Sequence, residues 1–67
     1  MTDKKYEINV TAAPYSDGSG YAAEATIVPG DDGQPSVQIN VVYRINAGEW
    51  TELRAAIDHA LEMAAKI

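Results

Sequence analysis

The stretch from Trp50 to Ile67 constrains the fold more than any other part of the chain. At 3.6-residue spacing, Trp50, Leu53, Ala56, Ile57, Ala60, Leu61, Met63, Ala64 and Ile67 fall on one side of a helix. Thr51, Glu52, Arg54, Ala55, Asp58, His59, Glu62, Ala65 and Lys66 fall on the other. So wide an apolar stripe needs a sheet to lie on, and the residues before it supply three strand-like runs. Asn46 is a good N-cap, and Glu49 three residues later fits a capping box. Glu49 and Glu52 complement the positive end of the helix dipole, and Lys66 belongs at the negative end. Arg54 with Asp58, and Glu62 with Lys66, are expected i,i+4 pairs, each contributing a few tenths of a kcal/mol.

The strands follow from alternation. Tyr6, Ile8 and Val10 point one way and Glu7, Asn9 and Thr11 the other, which describes a half-buried strand that Ala12 and Ala13 extend and Pro14 ends. Asp17-Gly18 is a turn dipeptide, and Gly20 implies a loop longer than two residues. Tyr15 is read as a lid on the core edge, with an exposed contact as the alternative. The second strand runs from Tyr21 to Val28, with Tyr21, Ala23, Ala25 and Ile27 inward. Its alanines have poor strand propensity, so a short helix over 21–26 is the competing assignment. Pro29-Gly30 fits the centre of a type II turn. The third strand, Val37 to Ile45, has the strongest pattern: Val37, Ile39, Val41, Tyr43 and Ile45 on one face, expected to touch the helix along its length. The other sheet face, with Glu7, Asn9, Thr11, Ala22, Glu24, Thr26, Val28, Gln38, Asn40, Val42 and Arg44, is expected to be solvated.

The expectation is an α+β fold: a three-stranded antiparallel β-meander followed by one C-terminal amphipathic α-helix packed on one sheet face (βββα). Sixty-seven residues make one domain over 1–67, with residues 1–5 frayed. So short a chain buries only about 60% of its unfolded surface. With no cysteine to form disulfides or thiolate metal sites, self-association or a partner is the usual further source of stability.

Ten acidic residues against five basic ones give a net charge of −5. That disfavours direct nucleic-acid binding, which needs a cationic patch, and anionic membrane surfaces, and it favours a basic partner. No run approaches the roughly 20 apolar residues of a membrane span, and the polar start lacks a signal peptide, so the expected compartment is the cytoplasm.

Chemistry is hard to find. His59, the one histidine, lies on the polar helix face, where a solvated side chain is the plainer reading. A calcium loop at Asp31, Asp32 and Gly33 lacks the alternating ligands and closing glutamate. Asp58 and Glu62 are one turn apart without a cleft to raise a pKa. The glycines fit neither a P-loop nor a dinucleotide fingerprint. No catalytic, metal or cofactor residue is assigned. Trp50 shares the phase of Leu53 and Ile57, which favours the core over an exposed anchor.

What is left is binding. The acidic candidates for contact with a basic protein surface are Asp17, Glu24, Asp31, Asp32, Glu49, Glu52, Asp58 and Glu62. In size, acidity and lack of catalytic residues the chain resembles small phage-encoded inhibitors of host defence, such as anti-CRISPR proteins. The resemblance is one of type and rests on no motif. It implies carboxylates standing where phosphates sit on a nucleic-acid-handling effector. The alternative is a self-associating subunit, a homodimer joined by the open sheet face or a strand edge. One acidic patch would favour the first, and an even spread of acid the second. A double-stranded-RNA-binding domain would want a preceding helix and a lysine-rich helix start, whereas this helix begins Glu49, Trp50, Thr51, Glu52.

Overall fold

The computed structural model describes residues 5–67, so the expected fraying of the first four residues lies outside them. Three strands, β1 (Ile8–Pro14), β2 (Tyr21–Pro29) and β3 (Pro35–Val41), form one antiparallel sheet in the order β1-β2-β3, and the helix α1 (Ala47–Ala65) follows. This is the expected βββα arrangement.

Both hairpins turn on the same chemistry. In each, an aspartate precedes a glycine in the left-handed region, Gly18 at φ 76° and Gly33 at φ 81°. In each, the aspartate's Oδ1 accepts from the backbone N–H two residues on: Asp17 from Ser19 at 2.9 Å, Asp32 from Gln34 at 3.0 Å. The second turn differs from the expected one. Pro29 is still paired, opposite Pro35, and the carbonyl of Gly30 accepts from the N–H of Gly33 at 3.2 Å, so Asp31 and Asp32 occupy the turn centre. The N–H of Gly30 then donates to the carbonyl of Gln34 at 2.8 Å, and a Cβ on Gly30 would lie 2.6 Å from that oxygen. Close approach, rather than a positive φ, requires glycine there.

The register puts Ile8, Val10 and Ala12 beside Ile27, Ala25 and Ala23, and these beside Val37, Ile39 and Val41. All nine share the face that carries the helix. The interlock between the two layers reverses along its length. Near the start of α1, Leu53 and Ile57 pack on the alanines Ala12, Ala23 and Ala25. Towards its end, Ala60 and Ala64 pack on Ile27, with Tyr6 and Ile8 at the margin. Large meets small at both ends, which keeps the helix close to the sheet over its whole length.

This close fit is made with β1 and β2, and it moves the helix off β3. Third-strand contact along the helix is therefore not what the structure shows: Val37 and Ile39 are 36% and 48% exposed. All three inward residues of β3 are β-branched, so this strand offers no small position to take Leu53 and Ile57. β3 also stops at Val41, four residues earlier than expected. One further ladder bond, from the N–H of Val42 to the carbonyl of Ala22 at 3.0 Å, precedes a bend that leaves Tyr43 92% exposed. Tyr21, expected inward, is also exposed, since it pairs with Pro14 at the end of the sheet.

The helix's buried stripe is narrower than its apolar one. Leu53, Ile57, Ala60 and Ala64 are buried, whereas Trp50, Met63 and Ile67 are exposed. A single helix over two strands encloses only the positions facing straight down. Its start is as expected: the side chain of Asn46 accepts from the N–H of Glu49 at 2.8 Å, and Glu49 Oε1 accepts from the N–H of Asn46 at 2.9 Å. Lys66 is the C-cap rather than part of the last turn. Neither expected i,i+4 pair closes, and among the described residues the one contact within 4.0 Å between a basic and an acidic side chain is His59 Nδ1 to Glu62 Oε2, at 3.9 Å. Ala13 breaks the alternation of β1 with φ 58°, a conformation that costs a non-glycine residue about 1 kcal/mol or more. Ala12 and Ala13 are both buried as a result, since the kink turns consecutive side chains inward.

Candidate functional site

The fold sends the eight acidic candidates in several directions. Asp17 sits in the β1–β2 turn at one end of the sheet and Asp31 and Asp32 in the β2–β3 turn at the other. Glu24 is exposed on the outer sheet face, between Thr11 and Asn40. Glu52, Asp58 and Glu62 are exposed on α1, where Asp58 and Glu62 share a flank and Glu52 lies further round. Glu49 is half-buried and committed to the helix cap. These carboxylates do not form one patch. The Ser19 hydroxyl, and then the Ser19 N–H, hold the Asp17 carboxyl below its usual 3.8.

The outer face is a polar surface. Thr26 Oγ1 donates to Asn9 Oδ1 at 2.9 Å, and Asn9 Nδ2 donates to Glu7 Oε2 at 3.2 Å. Tyr21, Glu24, Asn40 and Val42 line a shallow open depression of about 140 Å³ there, small beside the roughly 300–1,000 Å³ of ligand pockets. Among the described residues no three His, Cys, Asp or Glu side chains stand close enough to hold a metal ion.

The concentration that does occur is apolar. Val37 and Ile39 sit on the helix side of β3 without a cover, beside a core in which Ile27 and Leu53 are wholly enclosed. Past the end of the strand Val42 is exposed on the outer face, beside the depression, and Tyr43 is exposed after the bend. Tyr15, 41% exposed, and Trp50, 45% exposed, are surface residues in part, not the lid and core residue expected. The alternating pattern of β3 hid this surface, because it looks the same whether a helix or a partner covers it. The alanines at 12, 23 and 25 carried the missing signal, as they mark where a helix fits closely.

No protein-family model, no curated protein and no solved structure matches this chain significantly. Among the described residues no helix is long and apolar enough to cross a membrane.

Proposed function

We propose that this chain is a small protein-binding module that carries out no chemistry and acts by occupying a surface of its partner through the open β3 half of the sheet. The observation that carries the reading is the exposure of Val37 and Ile39 on the very face that the helix closes over β1 and β2. Covering those side chains would complete a half-finished core, and burial of apolar surface is the main driving force of association.

A second reading is favoured by a different observation. Glu52, Asp58 and Glu62 are exposed along α1, and among the described residues no lysine or arginine lies within ion-pair distance of them. Exposed carboxylates on a helix suit an inhibitor that occupies a basic, nucleic-acid-binding surface of a protein or effector complex, in the manner of anti-defence proteins of phage. That mode depends on charge complementarity and weakens with salt.

One capture experiment from lysate separates them, using the tagged chain, Val37→Lys/Ile39→Lys, and Glu52→Gln/Asp58→Asn/Glu62→Gln, washed at low and high salt. A protein retained at high salt and lost with the β3 variant supports the first reading. Capture of a nucleic-acid-handling protein that is lost at high salt and with the helix variant supports the second. Capture unaffected by either variant would overturn both.

A further inference from the structure

We propose that the partner covering β3 is a second copy of this chain, joined edge to edge in antiparallel fashion with Ile39 on the two-fold axis. The inference rests on the reading of β3 as the binding surface and names its occupant. Four observations converge on it.

The first is the free edge. The N–H of Val42 bonds inward to Ala22, and backbone groups alternate along an antiparallel strand. Ser36, Gln38 and Asn40 therefore face β2, while Val37, Ile39 and Val41 present their N–H and C=O groups outward. Pro35, in the outward phase, has no N–H, so the usable edge is 37–41. A two-fold pairing of Ile39 with Ile39, and of Val37 with Val41, satisfies all three residues on each side.

The second is the side chains. Two of the three residues that would pair through their backbones, Val37 and Ile39, carry apolar side chains exposed on the helix side, while Val41 already packs against the core. Pairing would set Val37 against Val41 and Ile39 against its own copy, making a six-stranded sheet with both helices on one face.

The third is charge. From Pro35 to Val41 the strand carries none, in a chain whose net charge is −5. Edge strands are commonly guarded by charged side chains, and this one is not. The acid stands just before it, at Asp31 and Asp32, and a cation just after it, the exposed Arg44. Antiparallel pairing centred on Ile39 brings the Asp31–Asp32 turn of one copy to the end of the seam where the other copy's chain leaves the strand towards Arg44. A parallel pairing would set acid against acid. The charge pattern is self-complementary only in the two-fold arrangement.

The fourth is the contrast with β1. That strand also has a free edge, but it kinks at Ala13 and ends in Pro14.

The test uses the purified full chain and sedimentation equilibrium. The wild-type chain should show a reversible dimer in the micromolar range. Ile39→Lys, at an exposed position, should remain folded by circular dichroism and sediment as a monomer. Arg44→Glu should weaken the dimer about tenfold, since each two-fold contact is lost twice, and Arg44→Glu combined with Asp31→Arg and Asp32→Arg should restore it. Because the chain has no cysteine, Ile39→Cys gives an independent geometric check. Facing Cα atoms in a hydrogen-bonded pair are about 5.5 Å apart, within disulfide range, so mild oxidation should link two chains. Asn40→Cys, off the axis and facing β2, should not link. A monomer at every concentration, with capture of another protein still lost in the β3 variant, would overturn the second-copy inference and leave the binding reading standing. A monomer whose captured partner ignores that variant would overturn both. A dimer that survives Ile39→Lys would place the interface elsewhere and also overturn the inference.

Discussion

Two halves of one sheet face differ in whether they hold small residues and in whether the helix closes over them. Over β1 and β2 the inward side chains are half small, Ala12, Ala23 and Ala25 beside Ile8, Val10 and Ile27, and a helix seals them. Over β3 all three are β-branched, the residues a pleated surface prefers, and Val37 and Ile39 stay open. Strand propensity and burial thus run against each other here. Propensity helped make β3 a strand, but the fit between layers decided which strands the helix covers. A helix bearing Leu53 and Ile57 at one end and Ala60 and Ala64 at the other needs a sheet that is small first and large later, and β1 with β2 supply it.

The largest effect should come from removing the side chain at the centre of the closed half. Leu53→Ala should cost about 2–5 kcal/mol in chemical denaturation. For a domain of this size each kcal/mol lowers Tm by roughly 4–8 °C. Ile39→Ala, measured on dilute monomer, should cost under about 1 kcal/mol, because half of that side chain is already in water. Equal losses at the two positions would mean that the helix rests on β3 as firmly as on β2, and the contrast would disappear.

Adding bulk tests the same difference from the other side. Ala25→Leu should cost about 1–3 kcal/mol by forcing the helix away from the sheet. Its cross-strand neighbour Ile39, on the same face, should accept Phe or Leu with little change in the monomer. If Ala25→Leu proved neutral, the close seating would not be what places the helix.

Much of this architecture was legible in the sequence. Alternation gave three strands, Asp17-Gly18 gave the first turn, and Asn46 with Glu49 gave the helix start, because each depends on a few neighbouring residues; the second turn was expected at Pro29-Gly30 and lies two residues later. What was not legible depends on how layers meet. Trp50 and Met63 share a helical phase with Leu53, yet only positions pointing straight at two strands are enclosed. Tyr43 continues the alternation of β3, yet the chain has already turned away. For the site, the acidic residues are countable in the sequence, but their directions follow from the fold: Asp17 and Asp31 are pinned to opposite ends of a meander, and Glu49 is taken by its cap.

A smaller effect is expected where the helix begins, since the cap fixes the direction from which α1 approaches the closed half. Asn46→Ala should cost about 1 kcal/mol, measured as a shift in denaturation midpoint at unchanged slope. A much larger loss would show that the cap holds tertiary structure beyond the first turn. A loss near zero would mean that packing of Leu53 alone sets the helix start.

The smallest effect belongs to the turns, one serving each half. Asp17, in the turn of the closed half, has its carboxylate held below 3.8 chiefly by the Ser19 hydroxyl and next by the Ser19 N–H. A carboxyl whose folded pKa is depressed contributes stability above its unfolded value and loses it as pH falls through the folded value. The contribution should therefore be present above about pH 4 and fade below it. Ser19→Ala removes the larger of the two hydrogen bonds, so the Asp17 carboxyl, followed by NMR, should titrate at higher pH than in the wild-type chain, while the melting temperature at pH 7 barely moves. Because the group is fully solvent-exposed, the shift is a local reading of turn geometry. A titration unchanged in Ser19→Ala would assign the depression to the backbone N–H alone, the one contact this turn shares with Asp32 in the turn of the open half.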